Sequence, residues 1–438
     1  MVLYSPLEEG ADQRTISDNN PHRRRDMEAQ LGKPQLDGKR LLEDLEALAG
    51  FGSSDGGAVS RVAYSLADLE ARHWVETQMR DLGLQVTRDR AGNSICSYAG
   101  QVPQLPPIAL GSHTDSVPDG GRYDGALGVV AAMACVRALQ KAGLHLLHPL
   151  EVIDFAAEEA TMGGTIGSRA MAGTLDPRML HRPAWDGTPV SSHLKAAGLD
   201  PGSLPQARRD KGSLACFLEL HVEQGGTLEA AGLPVGVVEG IVGIRRYTVS
   251  FEGLANHAGT TPMGGRRDAL VMAAPFILAV RDIAVKHGTV GTVGSLHLQP
   301  GTPSVIPGLV ELSVETRGLS ESRLDDAEND LAEAARNADS ELAVLSKKPP
   351  ARSDHRLLEC LTSACEELGV PYQRMPSGAG HDAMCITHIA PQAMLFVPSR
   401  RGISHSPEEF TDPESCITGA RVLLSALLKI DAVLDTRG

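Results

Sequence analysis

Pro107-Ile-Ala-Leu-Gly-Ser-His-Thr-Asp115 is the stretch on which the fold reading turns. A short uncharged run that is bounded by proline and ends at a histidine reads as a buried strand delivering a polar group. The pattern recurs twice. Leu150 to Ala157 runs into Glu158-Glu159, and Ala215 to Leu220 runs into His221. Between the first two, Gly125 to Ala142 is apolar on nearly every side, as expected of a buried helix. Strands alternating with helices imply an α/β layer with a mixed, mostly parallel sheet flanked by helices, and such sheets collect ligands beyond the carboxyl ends of their strands. Three strands are therefore expected to stop directly before candidate ligands.

Working outward, Leu66 to Leu82 has helical spacing, while Leu84 to Arg88 and Ser94 to Tyr98 read as strands. The character changes after Gly232. Arg245 to Glu252 alternates as a strand does, Arg267 to Lys286 reads as a helix, and Val293 to Gln299 and Val310 to Thr316 read as strands. Ser320 to Leu342 reads as a charged helix, and Lys347-Lys-Pro-Pro350 as a linker. This is enough for a separate α+β unit. The tail supplies a helix at Arg356 to Leu368, a strand at Gln392 to Val397 and a closing helix at Pro413 to Leu434. Because His405 lies in the tail, the expected organisation is a polar leader at 1–38, one domain split between 39–236 and 351–438, and an inserted domain at 237–350.

Composition narrows the partners. A chain of 438 residues with 42% hydrophobic content can bury a full core and exceeds the usual size of one domain. The net charge of −14 and 3% aromatic content argue against a nucleic-acid binder, so the partners should be small molecules. Seven cysteines with no Cys-x-x-Cys pair suit free, buried thiols in a reducing compartment. Met1 to Gln13 lacks an apolar segment, so no signal peptide is expected, and the run Gly125 to Val136 is too short to span a bilayer. Arg23-Arg24-Arg25 reads as a solvated face. The expectation is a cytoplasmic protein that binds neither membrane nor nucleic acid.

The residues at the strand ends carry the chemistry. In His113-Thr-Asp115, residues i and i+2 share a face of an extended chain, so the Asp115 carboxylate is placed to accept the second ring proton of His113 and fix its tautomer. Gly120 to Gly125 brings Asp124 to the mouth of a helix, where it can cap the helix, bridge cations, or do both. Glu158-Glu159 closes an apolar strand, where two adjacent carboxylates are costly to bury without a cation. His221 stands near Glu223, and His405 sits in the turn Gly402-Ile-Ser-His-Ser-Pro407. Each residue alone has an ordinary structural explanation. Together, His113, Asp124, Glu159, His221 and His405 form a ligand set for two divalent cations, with Glu158 beside it as a base. His257, in Asn256-His-Ala-Gly-Thr-Thr-Pro262, could polarise a carbonyl. No Gly-x-Ser-x-Gly elbow, Walker motif or dinucleotide fingerprint is present.

These motifs, in this order, resemble the amidase branch of the M20 metallopeptidase superfamily, which comprises N-carbamoyl-L-amino acid hydrolases, allantoate amidohydrolases and β-alanine synthases. The likeness runs from about Leu41 to Leu428 and includes Thr165-Ile-Gly-Ser-Arg169, His221-Val-Glu-Gln-Gly225 and His381-Asp-Ala383. It implies a binuclear metallohydrolase with two divalent ions (Zn, Mn, Co or Ni) per subunit, His113, Glu159, His221 and His405 holding them and Asp124 bridging. Glu158 would serve as base and then acid. The inserted domain would be a lid and dimerisation domain, with His257 reaching the partner's site in a homodimer. Gln224, Ser304, Arg317 and Gly378 would bind substrate, Gln224 and Arg317 by holding its carboxylate. The chain departs from the family pattern at Ser304, where relatives carry Asn, and at Ala160-Thr-Met162, where they show Gly and then Arg-Phe. The leading expectation is hydrolysis of an N-carbamoyl-L-amino acid. Allantoate hydrolysis, a dipeptidase, or a silent ligand-binding relative are the alternatives.

Overall fold

A computed structural model describes residues 33–54 and 56–435, so residues 1–32 of the expected leader, with their arginine run, lie outside the described residues. Two sheets organise the rest. The larger has the order β1-β2-β4-β3-β5-β13-β6-β11, with β12 also pairing β6. Its members are β1 (Gln85–Arg88), β2 (Ser94–Tyr98), β3 (Ile108–His113), β4 (Leu150–Phe155), β5 (Cys216–Val222), β6 (Val235–Ile241), β11 (Ala351–Arg352), β12 (Tyr372–Ser377) and β13 (Gln392–Val397). The central four, β4-β3-β5-β13, run parallel, and β1, β2 and β6 add antiparallel pairings.

The central strands are buried along their whole length on both faces, which is why their sequences are runs and not alternations. One face is covered by α1 (Gly38–Ala49), α2 (Leu66–Asp81), α3 (Ala126–Lys141), α6 (His355–Glu367) and α7 (Pro413–Asp435). Helix α3 can lie flat on the sheet because Gly128 has no side chain: a Cβ there would stand 2.4 Å from the Leu220 carbonyl oxygen.

The second sheet, order β10-β7-β9-β8, is antiparallel and lies in sequence between β6 and β11. Its strands β7 (Gly243–Glu252), β8 (Val290–Gln299), β9 (Leu309–Gly318) and β10 (Leu342–Lys348) carry α4 (Ala269–His287) and α5 (Glu321–Asn337) on one face, around Tyr247, Phe251, Phe276 and Leu331. Strand β7 alternates buried and exposed positions, as a one-faced sheet requires. Among the described residues no helix is long and apolar enough to cross a membrane.

Three local readings are corrected. The charged helix stops at Asn337, and Leu342–Lys348, read partly as helix and partly as linker, is the edge strand β10. Strands β6 and β12 were not anticipated. Nor do the strands stop before the ligands: His113 and His221 are inside β3 and β5, and β4 ends at Phe155, three positions before Glu158.

Candidate metal centre

The site forms at the carboxyl ends of β3, β4 and β5. The Nδ1 of His113 lies 3.0 Å from the backbone carbonyl of Asp115, and that of His221 lies 2.9 Å from the carbonyl of Val222. A carbonyl only accepts, so each ring donates from Nδ1 and turns Nε2 toward the cluster. Both Nε2 atoms converge on Oδ1 of Asp124, His113 at 3.6 Å and His221 at 3.2 Å. The other oxygen, Oδ2, faces His405 Nε2 at 3.4 Å, and the same nitrogen lies 3.4 Å from Glu159 Oε1. The donor atoms of His113, Asp124 and His221 lie within 4.8 Å of one another, as do those of Asp124, Glu159 and His405. All five sequence-predicted ligands come together, with Asp124 shared by both triads. Nitrogen and carboxylate donors in this arrangement fit two divalent cations.

The electrostatics point the same way. Burial, then Asp382, Glu159, Asp115 and Asp124, push Glu158 well above the usual carboxylate range, and burial, then Asp124, Asp115 and Glu409, do the same to Glu159. Burial takes His113 down to about 3. For His221 burial also opposes the proton, but Asp124, Glu219 and the Val222 carbonyl together outweigh it and bring the ring to about 9. Carboxylates that raise one another in a desolvated cleft mark a place where positive charge belongs.

The Asp115 carboxylate has a different task from the one expected. It is the backbone carbonyl that fixes the His113 tautomer, while the carboxylate, 3.6 Å from that ring, accepts from the backbone N–H groups of Glu158 and Glu159, both at 3.1 Å. The chain turns after β4, with Ala157 at φ +54°, so Asp115 faces the amides of both glutamates. Glu158 is thereby set with Oε2 3.7 Å from His113 Nε2. Behind Asp115, buried Arg72 reaches Asp68, Asp154 and, at 3.9 Å, Asp115 itself.

Gln224 belongs to the cluster: its Nε2 donates to Asp124 Oδ2 at 2.7 Å, from a backbone at φ +58°. His405 is likewise left-handed at φ +54°, and strained non-glycine positions of this kind gather at functional sites. Arg317 donates to Glu315 at 2.7 Å and, across to the first sheet, to the carbonyl of Gly378 at 2.6 Å. His257 and Ser304 stand together on loops that connect elements of the inserted segment, joined by the Ala258 N–H to Ser304 carbonyl bond of 2.9 Å. Both are exposed, and among the described residues neither is hydrogen-bonded to the five-residue cluster.

Several members were missed. Glu409 accepts from the amides of Tyr123 and Asp124 at 2.8 and 3.1 Å, and Ser404 Oγ lies 2.7 Å from Asp124 Oδ2 and 2.8 Å from Glu409. His381 packs edge-on to His221 with ring centroids 4.5 Å apart, and buried Glu219 accepts from Ser112 at 2.7 Å. A charge inside the apolar run Leu218-Glu-Leu220 was the available signal for Glu219.

Comparison with known proteins agrees with this layout. The model of Peptidase family M20/M25/M40 matches residues 109–429. The chain is 40% identical over 397 residues to the N-carbamoyl-L-amino acid amidohydrolase of Geobacillus stearothermophilus, covering 89% of this chain and 97% of that protein. It is 35% identical over 413 residues to the ureidoglycolate hydrolase of Arabidopsis thaliana, covering 90% and 87%. The crystal structure of an amidase of the hydantoinase/carbamoylase family from Burkholderia multivorans superposes with a TM-score of 0.82 at 34% identity, covering 91% of this chain and 99% of that one.

Proposed function

The chain belongs to peptidase family M20/M25/M40 and is a hydrolase of its amidohydrolase group, which acts on C–N bonds other than peptide bonds; from this premise we propose that it hydrolyses N-carbamoyl-L-amino acids at a binuclear metal centre. The observation that carries the reading is Asp124, whose two oxygens face two different donor sets, His113 with His221 and Glu159 with His405. His113, Asp124, Glu159, His221 and His405 would hold the divalent ions, which when bound would supply Lewis acidity for activating water and polarising the scissile carbonyl. The donor types suit Zn, Mn, Co or Ni alike.

The remaining steps belong to side chains of this chain. Glu158, held by Asp115 through its own backbone amide, takes a proton from the attacking water and returns it to the leaving nitrogen. Gln224 and Arg317 hold the substrate carboxylate, with Ser304 and Gly378 beside it; the guanidinium fork suits that task. His257 accepts from the amides of Gly259 and Thr260 on Nδ1, at 3.0 and 3.2 Å, so its proton sits on the exposed Nε2, ready to donate to a developing oxyanion.

The inserted residues 237–350 act as lid and dimerisation domain, and His257 serves the active site of a second copy. Exposed Leu270, Val271, Leu278 and Val285 on α4, with Val290 and Leu296 on the edge strand β8, support this. The 40% identity to a carbamoyl amino acid hydrolase favours that substrate class. A panel of carbamoyl, formyl, ureido and dipeptide compounds on metal-reconstituted protein tests the reading, with Glu158→Gln as control. Turnover of carbamoyl amino acids, abolished in the variant with metal retained, is the expected result. Ammonia release from allantoate with no turnover of carbamoyl amino acids would overturn the substrate, and full activity of the variant would overturn the mechanism.

A further inference from the structure

The turn that leaves Glu159 is also the wall of a cavity of about 240 Å³, lined by Ala160, Thr161, Met162, Met179, Trp185 and Val190 among others. We propose that this cavity is the subsite for the substrate's α-side chain, and that it selects a large apolar group, an aryl ring above all. The proposal rests on the N-carbamoyl amino acid reading above.

Position is the first argument. Ala160–Met162 is a single helical turn following directly on Glu159, at the carboxyl end of β4, the same end at which the candidate ligands gather. The cavity wall therefore begins at the residue after a candidate ligand. Size is the second. Whole-ligand pockets run from about 300 to 1,000 Å³, so a space of this volume suits one substituent of a small substrate.

Chemistry is the third. The lining is thioether, indole and aliphatic, with Arg182 also contributing. Trp185 is 56% exposed although its backbone is pinned, its N–H donating to the Thr161 carbonyl at 2.9 Å. An indole left open against two methionines offers a face to an incoming apolar or aryl group.

The test compares kcat/KM for N-carbamoyl-L-tyrosine, N-carbamoyl-L-phenylalanine and N-carbamoylglycine in the metal-loaded protein and in Trp185→Ala and Trp185→Phe. The wild-type protein should prefer the two aryl substrates. Trp185→Ala should lower both aryl-to-glycine ratios by about tenfold or more, with recovery in Trp185→Phe. In a Trp74→Phe, Glu158→Gln background, which leaves Trp185 as the single tryptophan, the aryl substrates should quench its fluorescence as they bind. Turnover with all ratios unchanged in the variants would overturn the subsite and leave the parent reading standing. No turnover of any N-carbamoyl amino acid would overturn the parent reading, and the subsite with it.

Discussion

Replacing Arg72 with Met removes the guanidinium that lies against all three carboxylates of a buried group, with Arg61 the other cation near them. Its Nε donates to Asp68 at 3.0 Å, Nη1 lies 3.2 Å from Asp154 Oδ2, and Nη2 stands 3.9 Å from Asp115. All four side chains are at most 2% exposed. Removing one partner from a buried ion pair leaves uncompensated charge and costs about 3–5 kcal/mol. That corresponds to a roughly 100- to 4,000-fold shift in the unfolding equilibrium. The sign with pH follows from Asp154, which burial lifts to about 7 even though Arg72 pulls it down. A carboxyl whose folded pKa exceeds its unfolded value of about 3.9 stabilises the fold below the unfolded value and loses that contribution as pH rises through the folded one. Without Arg72 the folded value climbs further, so the penalty should be largest at pH 8 and smaller at pH 5. The assay is urea unfolding at fixed metal loading, followed by Trp74, which packs against Phe51 on the same helix as Arg72. A Trp185→Phe background isolates that signal, since the chain has two tryptophans. Arg178→Met, at an exposed pair with Asp176, should leave the midpoint unchanged. A penalty below about 1 kcal/mol, or one equal at both pH values, would refute the claim that Arg72 holds this network together.

Gly125→Ala should lower metal content and activity together, because Gly125 sits at φ +64° and a Cβ there would fall 2.4 Å from the His113 ring; metal analysis after dialysis checks it. Asp124→Asn should lose metal from both triads at once, whereas Glu159→Gln should chiefly weaken the triad that contains His405; stoichiometry by mass spectrometry separates the two outcomes. Arg317→Lys keeps the charge but loses the fork, so KM for carboxylated substrates should rise roughly tenfold or more with a smaller change in kcat, read from initial-rate kinetics.

The cluster was legible because its members interrupt apolar runs. A histidine or acid following four or five buried residues, as at His113, Glu158-Glu159 and His221, is improbable as a surface feature, and three such interruptions in an alternating α/β pattern fall at one edge of one sheet. What supports the ligands was not legible. Asp68, Arg72 and Glu76 recur at i, i+4 spacing and read as surface pairs on a helix, yet all three are buried against the sheet. Glu409, in Pro407-Glu-Glu, looks like a solvated turn until the tail folds back onto Tyr123 and Asp124. Strand β12 hid for another reason. Pro376 and the polar Gln373-Arg374 remove both the alternation and a ladder donor, and the register shifts where proline enters. Strand β10 follows α5 so closely, with lysines at its far end, that helical periodicity runs into it.

The Arg317 bond to Gly378 gives the two sheets a chemical connection and not only a chain crossing. As it stands, the guanidinium spends Nε on Glu315 and Nη1 on the Gly378 carbonyl, leaving Nη2 for anything else. A substrate carboxylate gripped by both terminal nitrogens therefore has to replace a carbonyl of the first sheet. A charged acceptor is the stronger partner for a guanidinium, so the exchange favours the carboxylate, and it releases the second sheet from its tie at Gly378 as it does so. His257 and Ser304 sit on loops that leave β7 and lead into β9 of that sheet, and among the described residues neither is hydrogen-bonded to the candidate ligands. If residues 237–350 act as the lid proposed above and Arg317 holds the substrate carboxylate, carboxylate binding and lid position are one equilibrium, and a substrate lacking the carboxylate should leave the Gly378 bond intact.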